Sequence, residues 1–199
     1  VILTAVMFTT LFTIGASIMD AFQLSTMRQV GTSAHAGFKF LTQEQYDIVK
    51  DDPEIKDISY NILIGFGENP EFAKKSVEIR YTEEKNAEWG FTVPTTGTLP
   101  QNRLDIATST EVLDMLGLPH ELGVQVPLEF TGAGGIKYNE TFTLCGFWEQ
   151  DAVSPVCQAF LSREYSDEVA PVWQETASAE EGNWWMSGSI NPNIWFASS

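Results

Sequence analysis

The run from Val1 to Met19 carries no charged side chain, and Asp20 is the first residue that does. Within it stand Ile2, Leu3, Val6, Met7, Phe8, Leu11, Phe12, Ile14 and Ile18. Its polar members are Thr4, Thr9, Thr10, Thr13 and Ser17, whose hydroxyls can bond back to helix carbonyls. At 1.5 Å per residue the run spans roughly 28 Å, close to the ~30 Å hydrocarbon core of a bilayer. A core helix of that length shows a polar stripe, and none is visible. We read the run as a transmembrane helix. The rival is a signal peptide, with a shorter apolar stretch and a small-residue cleavage site that Gly15, Ala16 and Ser17 would supply. Ile18, Phe22, Leu24, Met27 and Val30 extend the helical pattern to Gly31 as a stalk, so residues 1–34 form a transmembrane and stalk segment. Because the first residue is Val1, a fragment or processed product is expected. The scarcity of basic residues beyond it (Arg28 and Lys39 come first) points to an extracytoplasmic location.

Composition narrows the rest. The 199 residues are 43% hydrophobic, too apolar for a disordered chain. The net charge of −16 leaves no basic surface for nucleic acid or for docking on anionic lipid headgroups. Two cysteines are too few for a disulfide scaffold or an all-cysteine zinc site.

Beyond the stalk, Thr42 with Gln45 makes a capping box at the start of a helix that Pro53 bars from continuing. Ile58, Tyr60, Ile62, Ile64 and Phe66 alternate as a strand with one buried face, and Val77, Ile79 and Tyr81 as a second. Thr82-Glu83-Glu84 opens a short acidic helix. Residues 94–100 form a Pro/Gly loop, and 104–107 a short strand. Thr108 with Glu111 reads as another capping box, for a helix ended by Gly117. Val124, Val126, Leu128 and Phe130 alternate on a strand whose Pro127 marks an edge. Residues 132–135 turn the chain into the returning strand 138–147, a β-hairpin. A strand at 158–161 and a helix from Ser162 through Val169 follow. The fold class expected is α+β: an N-terminal transmembrane and stalk helix, then a mixed-sheet domain with short helices and a β-hairpin. The extracytoplasmic domain is placed at 35–175 and an aromatic tail at 176–199, the start of a further segment.

No catalytic constellation assembles. The sequence has no G-x-S-x-G, H-E-x-x-H or EF-hand loop. Gly132 to Lys137 lacks the G-K-[ST] order of a phosphate loop and is read as a turn. His35 and His120 lie in loops without a nearby nucleophile. The pairs Asp51-Asp52, Glu83-Glu84 and Glu180-Glu181 read as solvated faces. Cys145 and Cys157 would form a disulfide if their strands are neighbours, and otherwise are buried small hydrophobes. Trp89 and Trp148 suit the core, while Trp184 and Trp185 suit a contact surface. No catalytic residue, cofactor or metal site is assigned.

Several segments resemble the FtsX-like permease family of ABC transporters. The stretch Gly97-Thr98-Leu99-Pro100-Gln101-Asn102-Arg103-Leu104-Asp105-Ile106-Ala107-Thr108 is similar to one family segment. Val112-Leu113-Asp114-Met115-Leu116-Gly117, Gly123-Val124-Gln125-Val126-Pro127-Leu128 and Phe142-Thr143-Leu144-Cys145-Gly146-Phe147-Trp148 follow in the family's order. Met27 to His35 resembles the stalk end of Gram-positive members. The resemblance implies an extracytoplasmic domain of MacB type following the first membrane helix, without catalytic residues. It also implies a separate ABC ATPase subunit and a second permease half or homodimer partner. The implied work is peptide, antibiotic or lipoprotein export, or sensing, on a peptide or lipid-linked substrate. A membrane-anchored sensor ectodomain of a receptor kinase is the alternative, and a secreted enzyme ranks last.

Overall fold

A computed structural model describes residues 2–150, 154, 156–173 and 186–197; in the first helix the side chains of residues 2–5, 8, 11, 15 and 16 lie outside the description. The fold is mixed α+β: short helices on one large sheet with both parallel and antiparallel pairs.

Helix α1 runs unbroken over Ile2–Val30, 29 residues. Thr10 Oγ1 donates to the Val6 carbonyl and Thr13 Oγ1 to that of Thr9, each at 2.8 Å, so the hydroxyls are satisfied inside the helix. Gly31, at φ +85°, ends it, its N–H returning to the Met27 carbonyl. The predicted stripe is mostly exposed: Phe22 and Val30 are each 71% exposed, and only Met27 is half-buried. Among the described residues no helix is long and apolar enough to cross a membrane. Ile2, Leu3, Phe8 and Leu11, much of the apolar character of the opening run, are among the undescribed side chains.

Strand β1 is Ala36–Gly37. Helix α2, Gln43–Lys50, has the capping box expected at Thr42 and Gln45. Strand β2, Ile55–Gly67, departs from simple alternation. It is buried on both faces from Asn61 to Gly65. A bulge between Leu63 and Gly65 against the next strand shifts the register and turns Phe66 outward, where the sequence reading had it inside. Strand β3 is Val77–Thr82, helix α3 Glu84–Trp89, β4 Thr96–Gly97 and β5 Asp105–Ser109. Helix α4, Thr110–Met115, starts one residue later than the Thr108 capping box predicts. Ser109 is its N-cap without a side-chain bond, and Thr108 stays in the strand, donating to the Gln158 carbonyl at 2.9 Å. Strands β6, Gln125–Thr131, and β7, Lys137–Trp148, form the hairpin. Strand β8 is Cys157–Leu161, helix α5 Arg163–Val169 with Ser162 as N-cap, and β9 Ile190–Phe196.

Two regions result. In the first, β2, β3, β8, β5, β7 and β6 close a ring of pairings, because β6 returns to β2 at Phe66↔Thr131 and Gly67↔Phe130. Closure needs glycine at 65, where a Cβ would stand 2.1 Å from the Thr131 carbonyl oxygen. Pro127 does lie along an edge, since β2 reaches only the end of β6. Asn69 covers that edge, donating to the Pro127 carbonyl and accepting from the Glu129 N–H at 3.2 and 2.8 Å. One core cluster gathers Ile64, Ile79, Ile106, Leu128, Phe130, Phe142 and Leu144 with Leu113 of α4 and Tyr165 of α5. Each such fully buried side chain contributes about 1.5–3 kcal/mol by leaving water.

The second region is a wing. Strand β9 pairs along β2 from Ile190↔Ile62 to Ile55↔Phe196, and β1 adds to its far side. Residues 190–196, assigned from sequence to a separate tail, are thus a strand within the domain's own sheet. Trp184 and Trp185 lie outside the described residues.

Candidate functional site

The foot of α1 is where chain geometry, strain and cavities meet. Arg28, in the helix's last turn, places its guanidinium 5.4 Å from the Phe91 ring centroid. Phe91 holds φ +56°, a left-handed conformation costly for a residue with a Cβ. Three residues after the helix, the Ser33 N–H donates to the Trp89 carbonyl at 2.8 Å. His35 then stacks on Trp195, ring centroids 4.2 Å apart, and accepts the Phe196 N–H on Nδ1 at 3.2 Å. His35 therefore clamps β9 to the segment that follows α1. The loop placement expected for it holds, and the clamp adds a structural role.

Three openings surround this joint. One, of about 380 Å³, lies between the end of α1 and the β9–β2–β3–β8 face, lined by Gly31, Asn61, Arg80, Gln158, Phe160 and Asn193 among others. A second, about 790 Å³, opens on Arg28, Phe91, His120, Phe147 and Trp148. A smaller one of about 40 Å³ joins Arg28 and Phe91 to Gln158. Farther away, a groove of about 630 Å³ runs between Tyr81, the 97–101 loop and Arg163. There Arg163 donates to the Tyr60 hydroxyl at 2.8 Å and sits over the Tyr81 ring. Burial raises the Tyr60 and Tyr81 hydroxyls above the ordinary phenol range. It pushes Tyr46 to about 12, with Glu83 adding to the effect.

Other sequence candidates are dispersed. His120 Nε2 pairs with Asp114 at 2.8 Å on the surface. Glu83, read as part of a solvated pair, instead accepts from Ser59 Oγ and the Tyr60 N–H at 2.8 and 3.1 Å, tying α3 to β2. Glu180 and Glu181 lie outside the described residues. Cys145 and Cys157 are both free. They sit on β7 and β8, but β5 runs between those strands, so the neighbour condition for a disulfide fails. Burial pushes the Cys145 thiol up to about 12; burial first, then Glu111, takes Cys157 to about 11. Both are poor nucleophiles at neutral pH. Trp148 is buried against Phe160 as expected for a core residue, and Trp89 is half-buried beside Trp195. Among the described residues no group of His, Cys, Asp and Glu could hold a metal ion. Gly132 to Lys137 is the turn the sequence predicts, the Gly132 N–H donating to the Ile136 carbonyl.

Sequence reasoning missed the amides around the joint cavity of about 380 Å³. Asn61, Asn86, Asn191 and Asn193 carry no motif, and only the sheet brings them together.

No family model matches the sequence, and no curated protein matches it. The solved structures to which the chain is similar include the following three. One is a domain of a proposed permease from Porphyromonas gingivalis, at 13% identity and a TM-score of 0.45, covering 85% of this chain and 69% of that one. The second is the extracellular domain of the ABC-type transporter YknZ from Gram-positive bacteria, at 8% identity and 0.46, covering 80% and 74%. The third is the periplasmic region of MacB from Actinobacillus actinomycetemcomitans, at 11% identity and 0.42, covering 79% and 66%.

Proposed function

We propose that the chain is the extracytoplasmic domain of an ABC-transporter permease subunit, held to the membrane by α1 and moved through it. The observation that carries this reading is α1 itself: an unbroken 29-residue helix whose stretch 2–19 bears no charge. Of its described apolar side chains only Met27 is half-buried; Val6, Phe12, Ile14, Ile18 and Phe22 among the others stay exposed. Large apolar surface left exposed on a helix calls for a bilayer or a partner. Thr10 and Thr13 are already satisfied within the helix, which lowers the cost of placing them in hydrocarbon. The four segments that resemble FtsX-like permeases supply β5, α4, β6 and β7, so they form one side of the closed ring.

In this reading a separate ABC ATPase closes on ATP and displaces the membrane helices. Helix α1 carries the displacement outward because its hydrogen bonds are internal and it bends little. The joint at Arg28–Phe91, Ser33–Trp89 and His35–Trp195 passes it to the sheet, changing the domain's grip on an exported or sensed substrate or on a second permease half. The domain performs no catalytic step of its own.

The test is purification of the full-length gene product in detergent with the ABC ATPase encoded beside it. Co-elution, and ATP hydrolysis that changes when Gly31→Pro disrupts the joint, are the expected results. A full-length protein with a single membrane crossing and no associated ATPase would end the reading.

A further inference from the structure

The cavity of about 380 Å³ at the foot of α1 is walled by polar side chains that the sheet holds largely out of water. Asn61 is 8% exposed, and Asn86 and Asn191 are each 7% exposed. Their orientations can be read from their partners. Arg80 has only donors, so Asn61 must turn Oδ1 toward it, and Arg80 Nη1 does donate there. Among the described residues the Asn61 Nδ2 protons then have no partner, and Asn61 lines the cavity. Across from it, Asn193 Nδ2 donates to Asn86 Oδ1 at 2.7 Å, and Asn86 Nδ2 donates to Thr82 Oγ1 at 3.0 Å. That chain leaves Asn193 Oδ1 as a free acceptor, close to Gly37, where a Cβ would stand 2.7 Å from it. The Gln158 side-chain amide, also on the wall, makes no hydrogen bond among the described residues.

We propose that this cavity binds a sugar ring, either a monosaccharide or the terminal unit of a glycan. Each ring hydroxyl donates and accepts at once, and a fixed amide donor beside a fixed amide acceptor answers that pattern. Phe38, exposed at the rim, offers aromatic surface to the apolar face of a ring. The volume lies in the usual range for small-ligand sites, ~300–1,000 Å³. Charge disfavours a phosphate or polyanion, because Arg80 is already paired with Glu78 and the only other lining cation is Lys39. A peptide adding as a strand is disfavoured because the local backbone groups are taken: Gly37 pairs with Asn193, and the Phe38 N–H donates to the Pro192 carbonyl at 2.9 Å. Val30, Gly31 and Thr32 form part of the wall, so the bound ring touches the helix end as well as the sheet. The proposal stands independently of the permease reading.

The test follows the side-chain amide resonances of Asn61, Asn193 and Gln158 in the full 199-residue chain in detergent micelles. Glucose, N-acetylglucosamine, glucuronate and the dipeptide Ala-Ala are titrated separately to 50 mM. Saturable shifts at these three side chains with at least one sugar, at a millimolar dissociation constant, are expected. Asn61→Asp keeps an acceptor for Arg80 while replacing the amide donors with a carboxylate, and should weaken binding about tenfold. Should that variant misfold, Gln158→Ala is expected to weaken binding about fivefold. Absence of shifts with all three sugars, shifts with Ala-Ala alone, or unchanged affinity in the folded variants would overturn the proposal.

Discussion

The closed ring and the wing share strand β2 but are built on opposite principles. The ring is apolar and self-sufficient: Phe142 stacks edge-on to Tyr165 at 5.1 Å, and Phe130 lies against Tyr138 at the same distance. The wing buries Ile190 and Ile194 of β9 but is stitched to a greater extent by polar side chains. Asn191 accepts the Phe40 N–H on Oδ1 and donates to the Ser189 carbonyl, and Phe40 takes φ +62° to do so. Burial of apolar area fixes the first region whatever happens around it. Directional hydrogen bonds and two strained phenylalanines fix the second, and such a region is the more easily shifted by a helix or a ligand. The contrast teaches that α1 joins the domain where it is held more by directional bonds than by apolar burial.

The largest expected effect tests the ring. Phe142→Ala should lower unfolding stability by about 3–5 kcal/mol in a denaturant titration, because a fully buried aromatic leaves a cavity. A loss below 1 kcal/mol would mean that the ring is no better packed than the wing. Next, Gly65→Ala drives a methyl into the Thr131 carbonyl and should cost roughly 1–3 kcal/mol or more, read from the same titration. Gly117→Ala, also at positive φ but with open space around it, should cost about 1 kcal/mol, so the difference between the two measures the closure contact.

In the wing, Phe91→Gly and Phe91→Ala both remove the platform under Arg28, but only glycine accepts φ +56° without strain. Phe91→Gly should be more stable than Phe91→Ala by about 1 kcal/mol, and equal stabilities would show that the strain is not there.

The smallest effect is a pH dependence spread over both regions. Tyr46, Cys145 and Cys157 have folded values raised above their unfolded ones, so the fold binds more protons and stability falls as pH rises. The loss should begin near pH 9, the ordinary thiol value, and continue to about 12 as Tyr46 and Cys145 ionise. A midpoint of thermal unfolding that stays level from pH 8 to 11 would contradict the raised values.

Much of the fold was legible where its signals are local. The Thr42–Gln45 capping box, the β6–β7 alternation and the Ser162 cap, whose hydroxyl accepts the Tyr165 N–H, need only a few neighbouring residues. The Thr108 box misled because Thr108 Oγ1 found a partner across the sheet at Gln158 instead of along the chain. Strand β9 was invisible: Ile190-Asn191-Pro192-Asn193-Ile194 has the composition of a turn, and its place is set by pairing with the distant strands β2 and β1. The joint cavity was equally hidden, since its amides come from residues as far apart as Asn61 and Asn193, and tertiary contact alone orients them. Phe66 failed the alternation because a single bulge inverts every side chain beyond it.

The central claim is that α1 belongs in a bilayer up to the stalk and in water at its foot. Ser17→Cys and Gln29→Cys place thiols at the two levels, against native cysteines that react slowly. The full chain is reconstituted into lipid vesicles and exposed on both sides to a membrane-impermeant maleimide. The account predicts rapid labelling at position 29 and protection at position 17 until detergent is added. Equal labelling at both positions in intact vesicles would contradict it.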